Sequence, residues 1–349
     1  MQDLLQNRRG FLKTLALTSL ALSTSSNLLL ANELKKFQNQ QKGDKMNESQ
    51  VWYITGASGG LGLALAKYLL QKGDKVAATS RKLSSIEKKL GKESENFLPL
   101  ELTFDTSKGG IAKKSQANLD AIFKKWGRLD NLVNNAGYGL LGFVEEVSEK
   151  QLREQFEVNV FAPYIITQNA LKIMRPQALK EGGNKEHFKA KIFNLSSIGG
   201  FRVSNVSTPY CMSKFALSAL SEGLSLDLED FGIAVINIMP AGFRTEFVGT
   251  SMNLGDTKIA DYEAKRKAFE ERMAAYNGKQ PGNPEAFAKI IYELSRMKNP
   301  PLNLFVGDAA YKSARNKIEI VQKDMKKTES YAGKAADFAN AGGSAFDKR

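Results

Sequence analysis

The sequence predicts an α/β domain built on a doubly wound parallel sheet. Short apolar, strand-like runs alternate with amphipathic segments from Val51 onward, and the first run ends in a glycine-rich turn that opens a helix. Alternation of that kind covers both faces of a parallel sheet with crossover helices. The ordinary globular composition, 349 residues with 42% hydrophobic and 25% charged, suits one large core and excludes a disordered or fibrous chain.

Composition also removes several chemistries. Cys211 is the sole cysteine, so no disulfide can form within the chain, and with His187 the sole histidine a His/Cys zinc site lacks its ligands. Fifty Lys and Arg against 37 Asp and Glu give a net charge of +13, which favours anionic ligands or surfaces and says nothing about fold.

In chain order, residues 1–31 stand apart. Arg8-Arg9-Gly10-Phe11-Leu12-Lys13 precedes an uncharged, Leu-rich stretch from Thr14 to Ala31. A basic start, an apolar middle and a small-residue end read as an export signal, and the paired arginines resemble the twin-arginine type, which engages the twin-arginine export machinery. A buried N-terminal helix is the alternative, although Ser23 to Asn27 is a poor helix interior. A permanent anchor wants about 20 apolar residues, and Thr18, Ser19 and the serine run interrupt this stretch. Cleavage near Ala31 removes Arg8, Arg9 and Lys13 against Asp3, so the charge falls only from +13 to +11. Residues 32–50, polar and without periodicity, read as a linker, and 51–349 as the folded domain. The expected location is the periplasm; a start at Met46 would give a cytoplasmic form.

Val51-Trp52-Tyr53-Ile54 is a β-rich run feeding Thr55-Gly56-Ala57-Ser58-Gly59-Gly60-Leu61-Gly62, and Leu63–Lys72 continues as a helix. Glycines in such a turn reach positive φ and admit a pyrophosphate to the backbone, while the helix offers free N–H groups and the positive end of its dipole. Gly56, Ser58, Gly60, Leu61 and Gly62 thereby become candidate dinucleotide contacts. The spacing Gly56-x-x-x-Gly60-x-Gly62 is not the commonest fingerprint, and purely steric turns also use glycine. The second strand, Lys75–Thr79, ends at Ser80-Arg81-Lys82, where the adenosine ribose is met. An acid there would bond a 2′-hydroxyl and repel a 2′-phosphate. Ser80 does neither and Arg81 can pair with phosphate, so NADP(H) is expected over NAD(H). An ordinary solvated arginine is the alternative reading of Arg81.

Further strands are expected at Phe97–Leu102, Leu129–Val133, Ile192–Leu195 and Ile233–Met239. Asn134-Asn135-Ala136-Gly137 closes the fourth at the carboxyl edge, where ligands gather, though Asn and Gly there also serve as a plain turn. Ile192–Leu195 runs into Ser196-Ser197, and Ser197 can hydrogen-bond a substrate oxygen. Tyr210 and Lys214 stand four apart, on one face of a helix, so that the ammonium can favour the ionised phenol.

These motifs occur together, in this order and at mutually consistent separations, and on them the sequence resembles the short-chain dehydrogenase/reductase family over roughly Val51 to Val306. The resemblance implies a Rossmann-type fold with Tyr210 as general acid/base, Lys214 lowering its pKa and holding the nicotinamide ribose, and Ser197 orienting the carbonyl. It assigns a water relay to Asn159 within Phe156-Glu157-Val158-Asn159-Val160, for which a helix kink is the other reading. Asn135, Ala136 and Gly137 fall at the cofactor, as do Pro240, Gly242 and Thr245 of Pro240-Ala241-Gly242-Phe243-Arg244-Thr245, with Thr245 on the carboxamide. Ala241 departs from the usual glycine. The adenine-binding acid falls on Asp105 in preference to Thr103. Gly242–Thr245 and Asn299-Pro300-Pro301-Leu302 resemble the 17β-hydroxysteroid-dehydrogenase-like and retinol-dehydrogenase-like branch. Pairing into a homodimer or homotetramer, through the helices after Asn159 and around Tyr210, is implied as well.

The loops after Gly137, Ser197 and Thr245 carry Tyr138, Leu140, Leu141, Phe143, Phe201, Val203, Phe247, Met252 and Leu254, which suits an apolar carbonyl or alcohol if they are not simply core. Asp256 to Met273 is a charged, helix-forming stretch that reads as a lid or a solvated surface helix. Lys312–Lys327 is basic without interleaved aromatics, which reads as a solvated helix, and no nucleic-acid partner is expected. The expected function is an NADP(H)-dependent oxidoreductase interconverting a carbonyl and an alcohol on a small apolar molecule. The rival is a catalytically silent dinucleotide-binding sensor or structural protein of the same fold.

Overall fold

The computed structural model describes residues 48–104 and 110–333. The expectations for the N-terminal 31 residues and for Asp105, and most of the 32–50 segment, lie outside the described residues.

Val51–Ile54 is apolar throughout and fully buried as strand β1, inside a seven-stranded sheet between two paired neighbours. Its alternate side chains serve opposite faces. Trp52 and Ile54 join Val76, Phe193 and Ile236 under helices α1 (Gly60–Gln71) and α9 (Pro284–Arg296). Val51 and Tyr53 join Leu132, Ile192 and Val235 under α3 (Gly110–Trp126) and α5 (Ala162–Lys180). A strand covered on both faces has no polar side to show, which is why these runs read as continuous rather than alternating.

The other sheet strands are β2 (Lys75–Ser80), β3 (Phe97–Glu101), β4 (Asn131–Asn134), β6 (Ala190–Leu195), β7 (Ile233–Pro240) and β9 (Asn303–Val306), all parallel in the order β3-β2-β1-β4-β6-β7-β9. The chain winds outward from β1 to β3 and then returns to β4 on the other side of β1. That reversal opens a crevice at the carboxyl ends of β1 and β4, the place where such sheets bind ligands.

Four features differ from the sequence reading. β4 starts two residues later than expected and takes in Asn134. β9 is an additional edge strand of four residues, half exposed, whose short apolar run Leu304-Phe305-Val306 does not by itself separate a strand from a buried loop. β5 (Gly139–Leu141) and β8 (Met252–Leu254) form a separate two-stranded parallel ladder. The helix expected from Asp256 begins only at Glu263, as α8 (Glu263–Tyr276), after a 3-10 turn at Ala260–Tyr262. The remaining helices are α2 (Leu83–Leu90), α4 (Glu149–Phe156), α6 (Thr208–Leu228), the single turn α7 (Phe247–Thr250) and α10 (Asp308–Ala332). Among the described residues no helix is long and apolar enough to cross a membrane.

Candidate active site

The crevice is lined first by the turn between β1 and α1. Gly56 (φ +67°) and Gly60 (φ +55°) occupy the left-handed region that only glycine enters freely. A Cβ on Gly56 would lie 2.9 Å from the Ala136 Cα, and one on Gly62 would fall on the Asn135 side-chain amide and 2.9 Å from the Gly56 carbonyl oxygen. The Asn135 amide straps this turn to the β4 end, donating to the carbonyls of Thr55 (2.8 Å) and Gly56 (2.9 Å). Thr55 Oγ1 in return accepts the N–H groups of Asn135 and Ala136, both at 3.0 Å. Helix α1 opens with no side-chain cap and no acid in its first turn, so side chains leave its leading N–H groups free. Thr245 stands over the mouth, its side chain 3.7 Å from where a Gly60 Cβ would be. A backbone concavity with donors left free by side chains, and glycines at its points of closest approach, fits a dinucleotide pyrophosphate.

The end of β2 is pinned beside this turn, Gly56 N–H donating to Thr79 Oγ1 (3.2 Å) and Ala57 N–H to the Thr79 carbonyl (2.8 Å). Ser80 turns its hydroxyl onto the Lys82 carbonyl. Arg81 is exposed and makes no hydrogen bond or ion pair among the described residues. Lys89, from the last turn of α2, donates to the Ser58 carbonyl at 2.6 Å, a second cation at this corner that its surface-helix spacing did not reveal.

Three elements deliver the reactive side chains to one place. Ser197 ends β6 and caps the 3-10 turn Ile198–Gly200, its Oγ accepting Gly199 N–H at 3.0 Å. Tyr210 sits in the first turn of α6, where Pro209 pre-sets the backbone, and its ring faces Ser197 across Gly199, where a Cβ would lie 3.3 Å from the ring and 3.4 Å from Ser197 Oγ. Lys214, one turn on, donates to the Leu195 carbonyl at 2.7 Å, with its Nζ 5.9 Å from the Tyr210 ring centre. Between α4 and α5 a π-helical turn, Glu157–Phe161, carries Asn159 fully buried. Its Nδ2 donates to the Tyr138 carbonyl and to Ser213 Oγ, both at 3.0 Å, and its Oδ1 accepts Tyr138 N–H at 3.2 Å. Gly137 forms the floor here, since a Cβ on it would lie 3.1 Å from Asn159 Oδ1 and 3.4 Å from Lys214 Nζ. Ala241, in the usual glycine's place, leaves the strand register intact, because its N–H bonds the Val306 carbonyl at 3.0 Å. Gly242 faces the Tyr276 hydroxyl closely enough to exclude a Cβ.

Electrostatics differ from the sequence expectation. Burial pushes the Tyr210 phenol up to about 12, opposed only in part by the Ser197 hydrogen bond, and burial pushes Lys214 down to about 7. Desolvation, which acts against the charged form of each group, dominates both shifts.

Of the apolar residues expected around the pocket, Leu141, Phe143 and Met252 cluster beside Tyr210, and Phe247 lies against the Tyr210 ring at 5.8 Å. Phe201 packs on Phe305 instead, and Val203 is on the surface. Val206, Phe269 and Met273 complete the cluster, residues that sequence spacing alone did not bring there. Val206 holds a φ of 62°. A β-branched residue in that region is strained by about 1–3 kcal/mol, and it sits immediately before the helix that carries Tyr210. The stretch from β8 through α8 covers this cluster. Buried Glu146 pairs with Arg266 and accepts Ile259 N–H (3.0 Å), Tyr262 hydrogen-bonds Glu145 and stacks on Phe143 at 4.1 Å, and a small cavity of about 20 Å³ remains between Leu141, Val206 and Phe269.

Comparison with known proteins shows the family and the fold. The family described as short chain dehydrogenase matches residues 50–253. Oxidoreductase BOA17 of Botryotinia fuckeliana is 33% identical over 80% of this chain and 96% of its own. A 3-ketodihydrosphingosine reductase of Bacteroides thetaiotaomicron is 29% identical over 74% of this chain and 88% of its own. A solved short-chain dehydrogenase from Streptomyces avermitilis superposes with a TM-score of 0.72 at 28% identity, covering 83% of this chain and all of that one. At the level of fold alone, the chain is similar to ElxO with NADP bound (TM-score 0.59, 23% identity, 76% and 100% covered). The same holds for a Burkholderia phymatum enzyme in complex with NAD (0.65, 20%, 80% and 97% covered).

Proposed function

The chain belongs to the short chain dehydrogenase family and is an oxidoreductase of that type, and from this premise we propose that it interconverts a carbonyl and an alcohol on an apolar substrate, with NADP(H) as its cofactor. The observation that carries the reading is the convergence of Ser197, Tyr210 and Lys214 at the sheet edge that also holds the glycine cradle. The cradle of Gly56, Gly60 and Gly62, with Ser58 and Leu61 in the same turn, would hold the pyrophosphate. Asn135, Ala136 and Gly137 would flank the ribose, and Pro240, Gly242 and Thr245 would border the nicotinamide, which when bound supplies a hydride to the carbonyl carbon or takes one from the alcohol.

The protein's own part is to place and move the proton. In the reducing direction the Tyr210 phenol, held protonated by burial, gives its proton to the developing alkoxide, and in the oxidising direction it takes it back. Ser197 already accepts from Gly199, so its own O–H is left to hold the same oxygen in reach of Tyr210. Lys214, pushed down to about 7 by burial, can exchange a proton near neutrality and restore the phenol after each turnover. Asn159, saturated on three sides by Tyr138 and Ser213, keeps the wall behind Lys214 in place and retains one Oδ1 lone pair for a bridging water.

Cofactor choice rests on Arg81, exposed at the end of β2 and without an ion-pair partner among the described residues, with Lys89 at the Ser58 carbonyl of the neighbouring turn. The apolar cluster around Tyr210, and similarity to a relative named for reducing a ketone, support an apolar carbonyl substrate. The protein's consumption of NADPH with a panel of apolar aldehydes and ketones tests this reading. Turnover with some of them is expected, and none with any would count against it. We also propose export by the twin-arginine route, on the pattern of Arg8-Arg9 and the apolar stretch after it. Cell fractionation should find a shortened form in the periplasm, and a full-length cytosolic protein alone would end that proposal.

A further inference from the structure

Helix α10 is anchored to the body only at its base. Ala310 and Ala314 are buried, and Tyr311 packs against Phe305 with ring centres 5.9 Å apart. Beyond Ala314 the helix runs on for more than four turns without one buried residue. Ile318 (45% exposed), Val321 (40%) and Met325 (61%) all stand open to solvent.

Their spacing is that of a seam. Tyr311, Ala314, Ile318, Val321, Met325, Thr328 and Ala332 alternate steps of three and four through the whole helix, which are the a and d positions of a heptad repeat. The stripe that fixes Ala314 to the body thus continues to Ala332, about 27 Å further at 1.5 Å per residue, and none of the described residues buries it there. Ile320, at a c position, projects away from the seam, while Tyr331, at a g position, flanks it. A free helical segment of this length is marginal in water unless its apolar face is covered.

The charges beside the seam select what covers it and in which direction. Arg315 and Glu329 both occupy e positions, both are exposed, and neither has an ion-pair partner among the described residues. Parallel pairing with a second copy would set Asp324 against Glu329 of the other helix, a like-charge contact. Antiparallel pairing sets Arg315 against Glu329 of the other helix at both ends of the seam, with Met325 against Val321 between them. It also brings the two Asp324 side chains together at the middle, where Lys327 of the same helix, 3.9 Å away, offsets their charge. We propose that the free part of α10 pairs antiparallel with the same helix of a second copy of this chain.

Sedimentation velocity of the full chain over a concentration series tests this. The parent is expected to associate through this seam, and Met325→Glu, which puts a charge into it, should weaken that association about 100-fold, with some loss of far-UV helical signal from the uncovered helix and an unchanged near-UV spectrum from the body of the fold. Arg315→Glu alone should weaken the dimer about tenfold, and adding Glu329→Arg in the same chain should restore it, because reversed pairs still match in the antiparallel arrangement. A parent that stays monomeric, with residues 14–31 of its own chain covering the seam or with nothing covering it, overturns the proposal. So does a state of association that Met325→Glu leaves unchanged, or a charge exchange that fails to restore what Arg315→Glu has lost.

Discussion

Gly62→Ala is the most informative single change in the cofactor cradle, because opposing effects can be weighed. Alanine in place of a helical glycine gains about 1 kcal/mol of helix propensity. The new methyl, however, lands on the Asn135 amide and 2.9 Å from the Gly56 carbonyl oxygen. To make room, Asn135 must release its bonds to the Thr55 and Gly56 carbonyls. Two such bonds are worth about 2 kcal/mol together, and leaving their partners unpaired costs more. A net loss of about 1–2 kcal/mol follows, with weaker cofactor binding because the strap holds the turn open. Asn135→Ala alone should cost about 2 kcal/mol. In the double variant the methyl has no amide to strike, so the double should be about as stable as Asn135→Ala by itself, a coupling of about 1–2 kcal/mol. Urea denaturation of the four proteins, paired with NADPH fluorescence titrations, measures both quantities. Strict additivity, or a Gly62→Ala protein as stable as the parent, would refute the close-approach argument.

Other consequences follow from the same geometry. Arg81→Gln and Lys89→Gln should each raise the NADPH dissociation constant about tenfold and leave that for NADH unchanged, since a charge-assisted phosphate contact is worth about 1.5–3 kcal/mol; equal weakening of both cofactors would place these side chains elsewhere. Lys214 has a folded-state pKa of about 7 against an unfolded value near 10.5, so the unfolded chain binds more protons between these values and stability should rise with pH across that window. Lys191, pushed down to about 8 by burial, adds to the rise, whereas Tyr210, at about 12 when folded and near 10 when unfolded, makes stability fall above pH 10. Urea midpoints measured from pH 6 to 10 for the parent and Lys214→Met should diverge as pH falls, the variant being the less pH-dependent; parallel curves would contradict the burial assignment. Glu146→Gln removes one partner of the pair that fastens the stretch over the pocket, so limited proteolysis should cut within residues 252–276 and KM should rise with little change in kcat. An unchanged digest would show that the pair does not hold that stretch.

The sheet was legible because its strands are buried on both sides and therefore appear as unbroken apolar runs bounded by turns, as Val51–Ile54 is. The site residues were legible for a related reason: Ser197 and the Asn134–Gly137 run fall at strand ends, and Tyr210 and Lys214 one helical turn apart, so order along the chain translates directly into place at one sheet edge. What escaped depended on contacts distant in sequence. β5 and β8 are three residues each and pair across more than a hundred residues, too short to show a period of their own. Val206, Phe269 and Met273 reach the pocket only because the stretch after β8 folds back over it, and Lys89 reaches Ser58 from a helix whose spacing reads as ordinary surface. The direction of the Tyr210 and Lys214 shifts was also hidden, because residue spacing reports that two charges are near each other but not how much water has been removed from around them.

The account stands or falls on the phenol at residue 210. NADPH consumption with an apolar carbonyl and NADPH binding by fluorescence, measured side by side for the parent and for Tyr210→Phe, test it most directly. The account predicts that turnover collapses by about two to four orders of magnitude while the cofactor still binds, since only the proton donor has been removed. Unchanged turnover in the variant would contradict the assignment of the acid/base, and tight binding without turnover in either protein would favour a dinucleotide sensor built on the same fold.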